Sequence, residues 1–337
     1  MNKKKILITG ASGFIGSTIT EMALQLGYET WAGIRSGSSL QYLRDEQLHL
    51  INLHYDDPAI LTEQLRKAVH QKRPFDAVIH VAGLTKAPHK EEFDRVNHRY
   101  TRHLAEALRA AEALSGTFVL LSSLSVMGPG DETGYTPFNA ESVPHPNTAY
   151  GRSKLQAEQY LMNQQLFPWL IIRPTGVYGP RDRDYLILMK AVKKGLSVGA
   201  GLRKQLLTFI HSHDLAMVVF SLLEKGISGK SYIVADGDSY TDNAFNAILQ
   251  EVLGRRRVVQ LKIPLWLVKP AAFVSEKVAT LLGKTATFNS DKYLIMKQRN
   301  WSCDITPLKN DIGFIPRWRL KEGIEMTAEW YKKEGWL

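Results

Sequence analysis

Cysteine is almost missing from this chain: Cys303 is the single one in 337 residues. That excludes an intramolecular disulfide and any cysteine-rich metal site, and it agrees with a reducing, cytoplasmic setting. Long apolar runs are missing too. The run "KILITG" meets a glycine turn within a few residues, too short for a signal-peptide core, and predicts a first strand. The stretch "IPLWLVKPAAFVSEKVATLL", 263–282, is interrupted by Pro264, Lys269, Pro270, Glu276 and Lys277. It does not span a bilayer and reads as a helix pair packed in a small lobe, with an apolar ligand wall or a membrane-resting surface as the other readings, and membrane association is not expected.

Acids are the minority, 33 against 43 lysines and arginines, for a net charge of +10. The basic residues are scattered with acids among them, the local clusters being Lys3 to Lys5 and Arg255 to Arg257. No nucleic-acid motif accompanies the charge, so attraction of an anionic cofactor is the simpler reading and nucleic acid is not an expected partner.

What is present is a β/α alternation. "KKILITG", "YETWAGI", "LHLINL", "FDAVIHVAG", "TFVLLSS" and "WLIIRP" read as six strands whose near-continuous apolarity suits burial on both faces. Helical periodicity falls between them: Ile15, Ile19, Met22 and Leu26 before Gly27, then stretches near 58–70, 91–114 and 150–165. "TFIHSHD" and "SYIVADG" are expected to return to the sheet around a helix at 214–225. The fold class is α/β, a doubly wound parallel sheet with a smaller discontinuous lobe. The nucleotide-binding domain is expected at 1–180 and 206–236, and the substrate-binding lobe at 181–205 and 237–337.

"TGASGFIG" sets Gly10, Gly13 and Gly16 between the first strand and helix. Glycines allow the tight turn and let a pyrophosphate approach free backbone N–H groups at a helix N-terminus. Ser12, Phe14 and Ile15 belong to the same loop. The spacing is G-x-x-G-x-x-G rather than the commoner G-x-G-x-x-G. In "AYGRSK", Tyr150 and Lys154 lie four apart on one helix face, and they follow "LLSSLSVMG" at the end of strand five. A serine hydroxyl, a phenol and an ammonium thus converge at the carboxyl edge of the sheet.

With "HVAG", Val96–Asn97, "RPTGVYGP" and "FIHSHDLA" in the same order, the chain resembles the extended short-chain dehydrogenase/reductases of the NAD-dependent epimerase/dehydratase type. Among them it looks most like dihydroflavonol reductase-like and 3β-hydroxysteroid dehydrogenase-like members. The resemblance implies a Rossmann fold, a nicotinamide cofactor and a homodimer. It implies Tyr150 as the acid/base, Lys154 holding the nicotinamide ribose and lowering the phenol's pKa, and Ser123 hydrogen-bonding the reacting oxygen, with Ser122 and Ser125 in support. It further implies Val81, Ala82 and Gly83 along the adenosine side, Pro174 to Val177 near the carboxamide, and Asn97 as a supporting residue. His211, His213 and Asp214 match a family "H-x-x-D" with Asp214 near a helix N-cap, and no metal is expected.

In "AGIRSGSS", Arg35 ends strand two where NAD-preferring relatives place an acid. A guanidinium grips a phosphate through parallel hydrogen bonds, and Ser36, Ser38 and Ser39 add donors. NADP(H) is therefore favoured, with NAD(H) as the alternative. At the end of strand three His54 takes, by spacing, the place of a family acid that contacts adenine. The expected function is NADP(H)-dependent interconversion of a carbonyl and a secondary alcohol on a small molecule. Trp266 and Phe273 suggest that the substrate is bulky and apolar. A nucleotide-sugar epimerase with tightly bound NAD is the second reading, with Arg181, Arg183 or Arg203 on a diphosphate. Leu124 and Ser125 stand where sugar-nucleotide dehydratases carry Asp-Glu, and the intact Ser123, Tyr150 and Lys154 set argues against a non-catalytic sensor.

Overall fold

The structure is a computed structural model that describes residues 3–70, 73–281 and 290–337, the side chains of 276–281 excepted. The chain begins with β1 (Lys5–Thr9), α1 (Phe14–Gln25), β2 (Glu29–Ile34), β3 (His49–Asn52), α2 (Pro58–Val69) and β4 (Phe75–His80). A short α3 (Glu91–Phe93) runs through a π-helical turn at Asp94–Arg99 into α4 (Tyr100–Ala110), followed by β5 (Leu114–Leu121), α5 (Ala149–Gln164) and β6 (Trp169–Pro174). The predicted helix at 91–114 thus ends earlier. Ala111 terminates α4, and Glu112, at φ 50°, turns the chain into β5.

Beyond β6 come β7 (Gly176–Tyr178), α6 (Asp184–Lys193), β8 (Leu196–Ala200), β9 (Leu206–Leu207), β10 (Phe209–His211), α7 (Ser212–Glu224) and β11 (Lys230–Val234). β12 (Tyr240–Thr241), α8 (Asp242–Val252), β13 (Val259–Ile263), α9 (Leu265–Leu281), α10 (Ser290–Lys297), α11 (Thr306–Ile312) and α12 (Leu320–Lys333) complete the described chain.

Seven parallel strands form the central sheet in the order β3-β2-β1-β4-β5-β6-β11. Alternation along each strand divides the core. Ile6 and Ile8 face α1 and α7, while Leu7 faces the opposite layer with Leu61 and Leu65 of α2, Leu104 and Leu108 of α4, and Leu161 of α5. The order reverses between β1 and β4, which opens a crevice at the strands' carboxyl ends.

"SYIVADG" returns to this sheet as β11, but "TFIHSHD" does not. Its strand β10 pairs in parallel with β7 outside the central sheet, because Phe209 packs with Tyr178 and Phe245 in a separate cluster that also holds residues of α6, α8 and α12. The 263–282 stretch is one helix, α9, carrying Pro270 inside it and packing against α10, rather than a helix pair of its own. Its last residue, 282, lies outside the described residues.

Candidate functional site

A cavity of about 800 Å³ occupies the β1/β4 crevice. Gly10, Ser12, Gly13, Phe14, Ile15 and Gly16 line one side. No side chain caps the N-terminus of α1, so its first-turn N–H groups stand toward a ligand. The glycines are sterically required. A Cβ on Gly16 would sit 2.0 Å from the Gly10 carbonyl oxygen, and one on Gly10, at φ +64°, would sit 2.7 Å from the Ala82 nitrogen. At Gly83 a Cβ would come within 2.9 Å of Asn97 Oδ1 and 3.1 Å of Lys154 Nζ.

Val81, Ala82, Gly83, Ser122, Ser123, Tyr150, Lys154, Pro174 and Val177 also line the cavity, so the expected catalytic and cofactor-binding residues meet there, Ser36 excepted. Ser122 Oγ is buried without a hydrogen-bond partner, an orphan polar atom beside the crevice. Ser123 accepts the Ser125 N–H at 3.1 Å and donates to Ser125 Oγ at 3.0 Å, which fixes its hydroxyl at the start of a tight turn.

Two different braces hold α5. Thr148 Oγ1 accepts from Gly151 N–H at 3.0 Å. From α10, Asp291 Oδ2 accepts the N–H groups of Ala149 at 2.8 Å and Tyr150 at 3.2 Å. Sequence reasoning missed Asp291, since nothing local marks an aspartate 141 residues away as the cap of this helix. Asn97, in the π-helical turn, accepts from Leu84 N–H and donates to Leu84 O and Ser153 Oγ, tying the β4 loop to α5.

Burial pushes the Tyr150 phenol above its ordinary pKa, and the Ser123 hydroxyl opposes this. Burial brings the Lys154 ammonium down to about 8, with the Glu158 carboxylate pulling the other way. Lys154 donates to the Leu121 carbonyl at 2.9 Å. The expected lowering of the phenol by Lys154 therefore does not appear. Desolvation dominates at the tyrosine, and the ammonium is engaged by a backbone carbonyl.

At the other end, Arg35, Ser38 and Ser39 line the cavity but Ser36 does not. Arg35 N–H donates to Ser38 Oγ and Arg35 O accepts Ser38 N–H, and Gly37, at φ +78°, folds the chain back so that Ser36 occupies the outer corner. His54 is likewise displaced. It is exposed and tied to Gln64, while the next residue, Tyr55, is buried at the cavity wall and stacks on Tyr100 at 5.3 Å. Arg181 reaches over α1, pairing with Glu21 at 2.6 Å, donating to Ser17 Oγ at 3.1 Å and lying 4.6 Å from the Tyr42 ring.

Beyond Tyr150 the lining turns charged, with Lys86, Asp182, Arg183, Asp184 and Lys292 beside Tyr185 and Trp336. Lys86 pairs with Asp184, and Arg183 lies 5.0 Å from the Trp336 ring. Arg203, Trp266 and Phe273 are not part of this wall. The latter two point into solvent, 73% and 57% exposed, because Val268 and Ala272 take the buried side of α9. The "H-x-x-D" residues serve the entry to α7. His211 is the cap, its Nδ1 accepting His213 N–H, and Asp214, in the first turn near that cap as expected, accepts the Trp318 N–H at 3.0 Å.

The sequence profile of the NAD dependent epimerase/dehydratase family matches residues 6–235. The chain belongs to that family. This member of the NAD dependent epimerase/dehydratase family is 26% identical to the ceramide reductase of Caulobacter vibrioides, over 98% of this chain and 96% of the relative. It is 25% identical to the UDP-glucose 4-epimerase of Vibrio cholerae, over 97% of this chain and 95% of that one. The fold matches the dTDP-glucose 4,6-dehydratase of Bacillus anthracis, a structure in complex with NAD. The TM-score is 0.77 at 19% identity, over 99% of this chain and 98% of that one. The family is enzymatic and nicotinamide-dependent, and its reductases, epimerases and dehydratases share this architecture.

Proposed function

We propose that this family member is an NADP(H)-dependent oxidoreductase that interconverts a carbonyl and a secondary alcohol. The observation that carries the reading is the arginine- and serine-lined end of the cavity. Arg35, Ser38 and Ser39 line it, and the carboxylates lining the cavity, Asp182 and Asp184, belong to the loop and helix start after β7 rather than to the end of β2. A guanidinium there suits a 2′-phosphate, which an acid would repel. The glycine cradle, the uncapped α1 N-terminus and the orphan Ser122 hydroxyl fit a dinucleotide.

When bound, the nicotinamide supplies or takes up the hydride. In the reducing direction the Tyr150 O–H, kept protonated by burial, delivers a proton to the carbonyl oxygen, and Ser123, rotating its O–H away from Ser125 Oγ, would donate a hydrogen bond to the same oxygen. Lys154, whose ammonium donates to the Leu121 carbonyl, would hold the nicotinamide ribose. The elements at 181–205 and 237–337 serve as the substrate lobe. The wall of Lys86, Asp182, Arg183, Asp184 and Lys292 suits a substrate with a polar group. A large apolar portion now draws its support from the ceramide reductase relative rather than from Trp266 and Phe273.

Epimerisation with captive NAD keeps one observation in its favour, the Arg181 contact that straps the loop after β7 onto α1. Two measurements separate the readings. The purified protein should carry no nucleotide and bind NADPH more tightly than NADH, whereas retained NAD would favour epimerisation. Tyr150→Phe should lower turnover by about 100-fold to 10,000-fold with little change in cofactor affinity; undiminished turnover would overturn the mechanism.

A further inference from the structure

The charge of this protein looks scattered along the sequence, but the fold gathers it. Residues 185–204 hold Lys190, Lys193, Lys194, Arg203 and Lys204 and no acid; residues 252–275 hold Arg255, Arg256, Arg257, Lys262 and Lys269 and no acid. These ten residues equal the entire net charge of +10, and the remaining 33 basic residues are matched by the 33 acids. The two segments are joined as neighbours by the parallel pairing of β8 with β13. Nine of the ten side chains are exposed, while Lys262 is half-buried in an ion pair with Asp242 of α8.

The same unit turns an apolar face outward. Along β13 the alternate residues Val259, Leu261 and Ile263 are exposed, and their register partners on β8 include Leu196 and Val198, also exposed. The other face of β8 is buried through Ser197, which donates to Asn246 of α8 at 2.8 Å. Pro264 leads directly from β13 into α9, whose outward residues include Trp266, Leu267, Phe273 and Val274. Leu202, 70% exposed, extends the display from the loop after β8. A soluble surface rarely combines so many bared apolar side chains with one sign of charge.

We infer that the β8–β13 ribbon and the start of α9 dock this protein onto an anionic lipid surface. Apolar side chains enter the interface between headgroups and acyl chains, and the lysines and arginines around them are drawn to lipid phosphates. No described helix is long and apolar enough to cross a membrane, so the attachment is peripheral. A second copy of the chain fits less well, because two such faces would bring lysines and arginines against lysines and arginines. Duplex nucleic acid would satisfy the charge but not the exposed apolar residues Val259, Leu261 and Trp266.

The full-length protein is sedimented with vesicles of pure phosphatidylcholine and with vesicles containing about 30% phosphatidylglycerol, at low and high salt. Expected is capture by the anionic vesicles, weakened by salt. Replacing Arg255, Arg256 and Arg257 together by glutamine should weaken it on the order of 100-fold, at about fivefold for each basic residue. Trp266→Ser with Phe273→Ser should weaken it at least tenfold. Both variants should keep the wild-type melting temperature and nucleotide affinity, and if the aromatic variant does not fold, the arginine variant carries the test. Absence of capture by anionic vesicles overturns the inference, as does capture that neither variant reduces. Binding to duplex DNA without vesicle binding, or a dimer that the variants dissociate, assigns the face to another occupant and overturns it equally. None of these readouts depends on turnover, so the reaction proposed above stands or falls separately.

Discussion

Glu158 and Arg173 offer a test of how the helix bearing Tyr150 and Lys154 is held to the sheet. Glu158 lies on α5 with its side chain wholly buried, and Arg173, near the end of β6, is 12% exposed. Two parallel bonds join them, Nε to Oε1 at 3.0 Å and Nη2 to Oε2 at 2.7 Å. Glu158→Gln keeps the shape but leaves a guanidinium in the core without its counter-charge. Breaking a buried pair from one side costs about 3–5 kcal/mol, a large fraction of the roughly 5–15 kcal/mol that holds a domain together. Arg173→Met strands the carboxylate and should cost about as much. Replacing both, Glu158→Gln with Arg173→Met, removes two desolvated charges at once and should lie within about 1–2 kcal/mol of wild type. Urea unfolding of the four proteins, followed by tryptophan fluorescence, gives the coupling. Since Glu158 also raises the Lys154 pKa, Glu158→Gln should move that ammonium below about 8 and shift the alkaline limb of activity to lower pH. Single variants that each cost under about 1 kcal/mol, or a double variant that costs their sum, would refute the reasoning.

Three further outcomes are expected. Arg35→Ala should weaken NADPH about 10- to 30-fold and leave NADH within about twofold, read by fluorescence titration, because an exposed guanidinium–phosphate contact contributes about 1.5–2 kcal/mol; equal losses for both nucleotides would contradict the assignment. Gly16→Ala, whose Cβ would meet the Gly10 oxygen at 2.0 Å, should abolish nucleotide binding and lower the melting temperature by several degrees, since backbone cannot yield as a side chain does. Stability should respond to pH through Lys154. Its folded pKa of about 8 lies below the unfolded 10.5, so the unfolded chain binds more protons between those values. Unfolding free energy should therefore rise as pH increases from about 8 toward 10, by up to roughly 3 kcal/mol, and Lys154→Met should flatten that slope.

The parallel sheet and the glycine loop were legible because each is written locally: apolar runs of strand length, and glycines between a strand and a helix. Tyr150, Lys154 and the serines were legible for the same reason, since four-residue spacing and a strand end fix their neighbourhood. Turn chemistry defeated the reading at Ser36 and His54. A left-handed Gly37 turned Ser36 out of the lining and left the expected Ser38 and Ser39 in it, and a side-chain clasp to Gln64 put Tyr55 rather than His54 at the wall. Periodicity also cannot say which way an apolar helix faces. Trp266 and Phe273 read as an inner wall, yet Val268 and Ala272 hold the buried side. Asp291 left no signal, because its partners are backbone N–H groups that every sequence possesses.

The contact from Asp291 to the first turn of α5 bears on how this protein is made. The Tyr150 segment leaves the ribosome long before the aspartate that holds its N–H groups, and the two are separated by 141 residues. During that interval the sheet strands up to β11 can pair and the nucleotide crevice can form, while the turn that aims the phenol has only Thr148 to hold it. The turn that aims the phenol is thus completed only once residue 291 has emerged, later than the strands and the glycine loop that frame the crevice.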